Sequence, residues 1–226
     1  MFGSDDKFGA ICAFAGGGLL FLGTFLHPMQ ADPNNALAAF AEYAADRTWV
    51  TAHLLQFAGF AMIVAAMVVL GRQVQSAHGT ALPRLATGGA VASLAVAAAL
   101  QAVDGIALKA VVDAWAAAPA EQKDAAFHAA FAVRQIEIGL ASLLAIVFGF
   151  AAGLYGAMLW NDRSYPMLHG RLAAAGGIAS VLAGVVMAYT GFSPRAMTIL
   201  LLASLALIAW IAALGAVMWR RANLGE

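Results

Sequence analysis

The chain has a single cysteine, Cys12, which excludes an intrachain disulfide and thiol–disulfide chemistry within the monomer. Cys12 falls in the first apolar run and reads as a small buried hydrophobe. Charge is almost as scarce, at 11% of residues against 63% hydrophobic and a mean hydropathy of +0.83. A soluble domain is about 45–50% apolar and about 25% charged, so composition alone makes this a membrane protein. The 12 basic and 12 acidic residues cancel. With no surplus of either sign there is neither a nucleic-acid footprint nor an acidic tail, and membrane lipids are the expected surroundings. Also missing are a Gly-rich phosphate loop, a Gly-x-Ser-x-Gly elbow and a Cys-x-x-Cys pair, so no motif names a reaction.

Long apolar runs are what the chain does have. Six reach the length of about 20 residues that a helix needs to cross a bilayer: Phe8–Pro28, Trp49–Gly71, Leu85–Leu108, Gln135–Leu159, Leu172–Gly191 and Met197–Trp219. The first carries Asp5 and Asp6 beside Lys7, and no small-x-small site follows it before Asp32, so it reads as an uncleaved span. The expected fold is an all-α integral membrane bundle of six spans in three antiparallel hairpins. The connections leave no room for a separate soluble domain. Repeated openings, Arg84-Leu85-Ala86 and Arg171-Leu172-Ala173, hint at a tandem hairpin repeat, although any inside-out helix begins basic.

Basic residues orient the bundle. With the N-terminus inside, Lys7, Arg72, Arg84, Arg163, Arg171, Arg220 and Arg221 are cytoplasmic, and Arg47, Lys109, Lys123, Arg134 and Arg195 external. The excess is small, but the inner set crowds the helix ends, where the rule counts most. The expected location is a bacterial-type inner membrane, with both termini cytoplasmic. Trp160 and Trp219 fit the inner aromatic belt and Trp49 the outer.

The first outer connection contains a second, shorter helical pattern. After Asn35, a cap residue, Leu37, Phe40, Ala41 and Ala44 share one face, which predicts a short helix lying on the outer surface. The hairpin from Arg84 to Trp160 turns at Pro119. Its rising arm is about 35 residues, or about 52 Å as helix, against a hydrocarbon core of about 30 Å. Unless it breaks, it stands proud of the outer face.

The same hairpin holds Gln101, Asp104, Lys109, Asp113, His128, Arg134 and Glu137. Ionisable groups in apolar helices are costly and pair with one another inside a bundle. Counting equal distances from the turn sets Asp104 near Arg134 and Glu137, and Asp113 near His128. Arg134 and Glu137 are also neighbours on one helix face. An Asp104–Arg134–Glu137 network neutralises itself and serves equally as a structural clasp or as an acid–base site. His27 and His53, on neighbouring helices, belong to the same leaflet. Two imidazoles can ligate haem or a metal, but no His-x-x-His or Glu-x-x-His spacing supports it, so no cofactor is expected. His78 and His169 fall in inner connections and read as solvated. Gly16-Gly17-Gly18, Gly88-Gly89, Gly149-x-x-x-Gly153 and Gly176-Gly177 permit close helix contact, and the last turn of Gly149–Gly153 leaves a thin face for a lipid tail or a partner helix.

These observations converge on an outward-facing polar cup lined by His27, His53, Gln56, Gln101, Asp104, Arg134, Glu137 and Tyr189. The leading expectation is that the cup binds the head of a lipid-like or isoprenoid molecule. A second is a non-catalytic accessory subunit docked on a larger membrane complex. A third is an intramembrane enzyme using Asp104 or Glu137 as acid or base with His53 assisting. The opposite halves of the spans are almost wholly apolar and no span is broken by proline at mid-depth, so a channel or transporter is disfavoured.

Overall fold

A computed structural model describes residues 2–78, 81–160, 162 and 164–224. The expectations for the His78 side chain and for Arg163 lie outside the described residues. Among those described there are only helices: α1 Phe2–Leu26, α2 Ala36–Ala45, α3 Trp49–His78, α4 Ala81–Gln101, α5 Lys109–Ala117, α6 Lys123–Trp160, α7 Met167–Thr190 and α8 Pro194–Leu224. A π-helical segment, Ala102–Leu108, joins α4 to α5 without interrupting the rod, and a short 3₁₀ turn, Ala120–Gln122, leads into α6. Six of these stretches are long and apolar enough to cross a membrane.

The six spans form a ring in which each packs on its sequence neighbours, and α1 meets α8 to close it. Bulky apolar side chains point both ways. Met67, Leu70, Leu159, Trp210, Leu214 and Met218 are buried in the ring, whereas Phe21, Phe25, Leu201 and Ile178 are exposed around its girdle, as lipid-facing positions are. With no hydrophobic push between helices in lipid, close packing has to hold the ring. At the α6–α7 contact a Cβ added to Gly177 would lie 2.5 Å from the Gly149 carbonyl oxygen, and at α1–α3 one on Gly16 would lie 2.8 Å from that of Gly59. Five of the nine expected glycines meet a neighbour in this way, whereas Gly17, Gly18, Gly88 and Gly153 face open space.

One end of the ring is tied by a polar network. Gln73 Nε2 donates to Asp6 (2.7 Å), the Tyr165 hydroxyl to Gln73 Oε1 (3.0 Å), and Arg221 Nη1 to that hydroxyl (2.8 Å). Asp6 lies near the N-terminus and Arg221 near the C-terminus, so both chain ends are at this end of the bundle. Burial pushes the Tyr165 phenol above its usual range, against the pull of Arg221. His169 also belongs here. It was expected to be solvated, yet it is buried in the first turn of α7 beside the Tyr165 ring, because α7 begins at Met167 and draws His169 under the connection.

The opposite end carries a second core. The charged hairpin does not break, and α2 lies across its projecting top. Phe40, Tyr43 and Trp49 pack with Leu108, Val112, Trp115 and Ala130. Asn35 caps α2 by accepting from the Ala38 N–H at 3.2 Å, and Glu42 reaches back to the N–H groups of Gln30 and Ala31. The buried face of α2 is Ala39, Phe40 and Tyr43, not the expected Leu37–Phe40–Ala41–Ala44 stripe; Leu37 is 60% exposed. In this rotation the Tyr43 ring lies against the Arg134 guanidinium, 5.5 Å from ring centroid to Cζ.

Candidate functional site

The polar groups of the hairpin meet α3 directly beneath this cap. Trp49, the first residue of α3, donates its indole N–H to the Asp104 carbonyl oxygen at 3.0 Å. One turn on, His53 is clamped at both ring nitrogens: Nδ1 lies 2.7 Å from the Trp49 carbonyl oxygen and Nε2 3.0 Å from Asp104 Oδ2. Gly105 makes this approach feasible, since a Cβ there would lie 2.6 Å from the Cβ of His53.

The clamp fixes a protonation state. A carbonyl oxygen only accepts, so His53 Nδ1 must carry a hydrogen. The Nε2–Asp104 Oδ2 contact then holds the other side of the ring. His27 packs its ring 5.0 Å from that of His53 and 4.8 Å from that of Trp49, with its own Nδ1 turned to the Pro28 carbonyl oxygen at 2.7 Å.

Arg134 and Glu137 form a separate pair. Arg134 Nη1 donates to both carboxylate oxygens, at 2.8 and 2.7 Å, and both residues are buried. Arg134 Nη2 donates to the Pro33 carbonyl oxygen at 3.3 Å, and the guanidinium sits between the rings of Tyr43 and Phe192. The expected Asp104–Arg134 contact is thus replaced by Asp104–His53, with the two pairs close enough to feel each other's charge. Asp113 pairs with Lys109 at 2.6 Å rather than with His128. Lys109 also donates to the Tyr43 and Ala44 carbonyls at the end of α2, and Lys123 to those of Trp115 and Ala116 at the end of α5. Both lysines satisfy carbonyls at negative helix ends and are structural.

Of the eight expected lining residues, His27, His53 and Asp104 come together, with Arg134 and Glu137 as the adjoining pair. Gln56 lies apart, half-buried against Gly23 of α1, and Tyr189 is 87% exposed on the rim of α7. Tyr43, Trp49 and Gly105 belong to the site and were not expected there. Trp49 was legible only as a belt residue, and the Tyr43 contact depends on the rotation of α2.

The site does not open at the top. Arg134 is tied to Pro33, Asn34 Nδ2 donates to the Phe192 carbonyl oxygen at 2.8 Å, and α2 lies above. It opens sideways. A cavity of about 180 Å³ runs between α3 and the α4–π junction, with His53 and Gln101 among its lining residues and Val50, Leu54, Phe57, Ala98, Ala102 and Ile106 as apolar walls. Leu54 and Ile106, both more than half exposed, flank its mouth on the lipid-facing surface. Behind it, Gln101 Oε1 and Asp104 Oδ1 are buried without a hydrogen-bond partner among the described residues. Haem or metal ligation by His53 would have to break one of its two hydrogen bonds, and no group of three His, Cys, Asp or Glu among the described residues is arranged to hold a metal.

No family model, curated protein or solved structure matches the chain.

Proposed function

We propose that this membrane protein binds the polar head of a lipid-like molecule, of isoprenoid type or similar, through the lateral cavity at His53 and Gln101. The observation that carries the reading is the pair of buried, unpartnered acceptors, Gln101 Oε1 and Asp104 Oδ1, at a lateral cavity that Gln101 and the Asp104 partner His53 line. A buried acceptor without a donor costs about 1–3 kcal/mol, and a hydroxyl or amine of an incoming head removes that cost. Convergent polar groups in an apolar pocket are the usual mark of a small-molecule site. The ligand enters from the membrane, so an apolar tail remains in the lipid while the head meets the His53–Asp104 pair.

The test is extraction and mass spectrometry of small molecules that copurify in mild detergent. One species retained in stoichiometric amount is the expected result. Gln101→Leu should lower its retention about tenfold, the equivalent of one hydrogen bond, and His53→Ala should lower it too by releasing the Asp104 carboxylate that His53 holds in place. Unchanged retention in both variants overturns the reading.

One observation favours the accessory-subunit reading instead. The mouth of the cup is filled by the protein's own Tyr43, Phe192 and Pro33, while Leu37 on the outer helix is left exposed. On that reading the polar cluster is a clasp for a cap that docks elsewhere. A purified protein that carries no small molecule, and whose variants at Gln101 and His53 differ only in stability, supports it.

A further inference from the structure

A second groove lies away from the His53 cavity, along the thin Gly149–Gly153 face. It occupies about 540 Å³ between α6 and α7. Phe150 and Leu154 form one wall, Ile178 and Leu182 the other, and Gly153 the floor; at the end nearest the chain termini it stops at Trp160. Gly149 and Gly177 are consumed by the helix contact itself, but a Cβ on Gly153 would meet nothing within 4 Å. The groove exists because that glycine has no neighbour to fill it.

Its dimensions select the occupant. From Phe150 to Trp160 the helix rises about 15 Å, half of a hydrocarbon core of about 30 Å. That is the depth of one leaflet, which suits an acyl chain; a transmembrane partner helix would need the full thickness. The closed end is chemically distinct from the rest. The Arg171 guanidinium lies over the Trp160 ring, 5.9 Å from its centroid. Arg171 is exposed and makes no ion pair among the described residues. An unpaired cation beside an interfacial tryptophan, at the head of a leaflet-deep apolar groove, complements a phosphate on the end of an acyl chain.

We propose that the α6–α7 groove binds one chain of an anionic phospholipid, with its phosphate at Arg171, in the leaflet on the side of the chain termini. The site is independent of the lateral cavity at His53. The test uses the full-length protein reconstituted with phosphatidylglycerol and phosphatidylcholine of identical chains, with retained lipid counted by native mass spectrometry. The wild type should keep one phosphatidylglycerol about fivefold more often than phosphatidylcholine, the worth of one arginine at an anionic surface. Arg171→Gln should abolish the preference while leaving some retention of both lipids. Gly153→Ala and Gly153→Leu should lower retention of both in order of size, and the alanine variant keeps the series readable if the leucine variant folds poorly. Equal retention of the two lipids by the wild type overturns the proposal. So does retention unaffected by Gly153→Ala and Gly153→Leu, or a dimer that those substitutions disperse, which would assign the groove to a second copy of the chain.

Discussion

Arg134 is the charge with the most to lose at the capped end of the bundle. It is buried, it spends one nitrogen on Glu137 and another on Pro33, and two aromatic rings enclose it. Removing one member of a buried pair leaves the other uncompensated, at a cost of about 3–5 kcal/mol. Arg134→Ala should therefore lower stability by that order in detergent-based unfolding, and adding Glu137→Gln should recover a large part of it. Adding Asp104→Asn should not, because Asp104 answers to His53; a rescue by Asp104→Asn instead of Glu137→Gln would reverse this assignment. Tyr43 gives a pH-dependent readout of the same neighbourhood. Burial pushes its phenol from 10.0 up to about 12, with Arg134 pulling the other way. The folded protein holds this proton more tightly than the unfolded chain, so its stabilisation is complete below about pH 10 and is lost as the pH climbs towards about 12. The melting temperature of the wild type should fall more steeply across that window than that of Tyr43→Phe, and parallel curves would remove Tyr43 from the cap's energetics. The polar residues of this site were legible one by one, since each is an anomaly in an apolar run. Their pairing was not, because it depends on azimuths that spacing from a turn does not give.

Those azimuths are set at the level of the element. Counting back from Pro119 at an α-helical period brings Asp104 to Arg134, but Ala102–Leu108 is π-helical. A π stretch takes more residues per turn, so Asp104 is swung away from Arg134 towards α3, where Gly105 lets His53 close in. No residue type in that segment announces the change; it is selected by what packs against it. The short outer helix shows the same limit, since its existence and its cap at Asn35 follow from sequence whereas the rotation that brings Tyr43 to Arg134 does not. Glycine is where element and sequence diverge most usefully. Gly177→Ala must displace backbone of α6 and should destabilise the α6–α7 contact by about 1–3 kcal/mol, as overpacking does. Gly153→Ala, one turn along the same seam but open, should be neutral or stabilising by about 0.5–1 kcal/mol through helix propensity. Equal effects of the two substitutions in thermal unfolding would mean that the close approach at Gly177 is not what holds the pair.

At the scale of the whole molecule the two ends differ in kind. The end with the termini is a belt of single hydrogen bonds, Asp6 to Gln73 to Tyr165 to Arg221, joining α1, α3, the α6–α7 connection and α8. The other end has its own apolar core, built where α2 covers the top of the hairpin. Six spans were legible because a run of about 20 apolar residues has few other fates. The cap was legible only as excess length, since a helix too long for the membrane says nothing about what covers it. Which end faces the cytoplasm rests on charge placement, and the uneven ends make it testable. The only native cysteine, Cys12, is buried in the ring, so an introduced cysteine reports alone when treated with a membrane-impermeant maleimide on intact cells. Gln122 is exposed at the tip of the hairpin and Ser164 is exposed at the opposite end. With seven basic residues expected inside against five outside, Gln122→Cys should label from outside and Ser164→Cys only after the membrane is opened. The reverse pattern would turn the capped core and the His53 cavity towards the cytoplasmic leaflet, and would place the Arg171 groove in the outer one. Labelling at both positions in intact cells would break the six-span ring itself, because an even number of crossings would then have to separate Gln122 from the termini that the Tyr165–Arg221 contact holds together, where the ring has three.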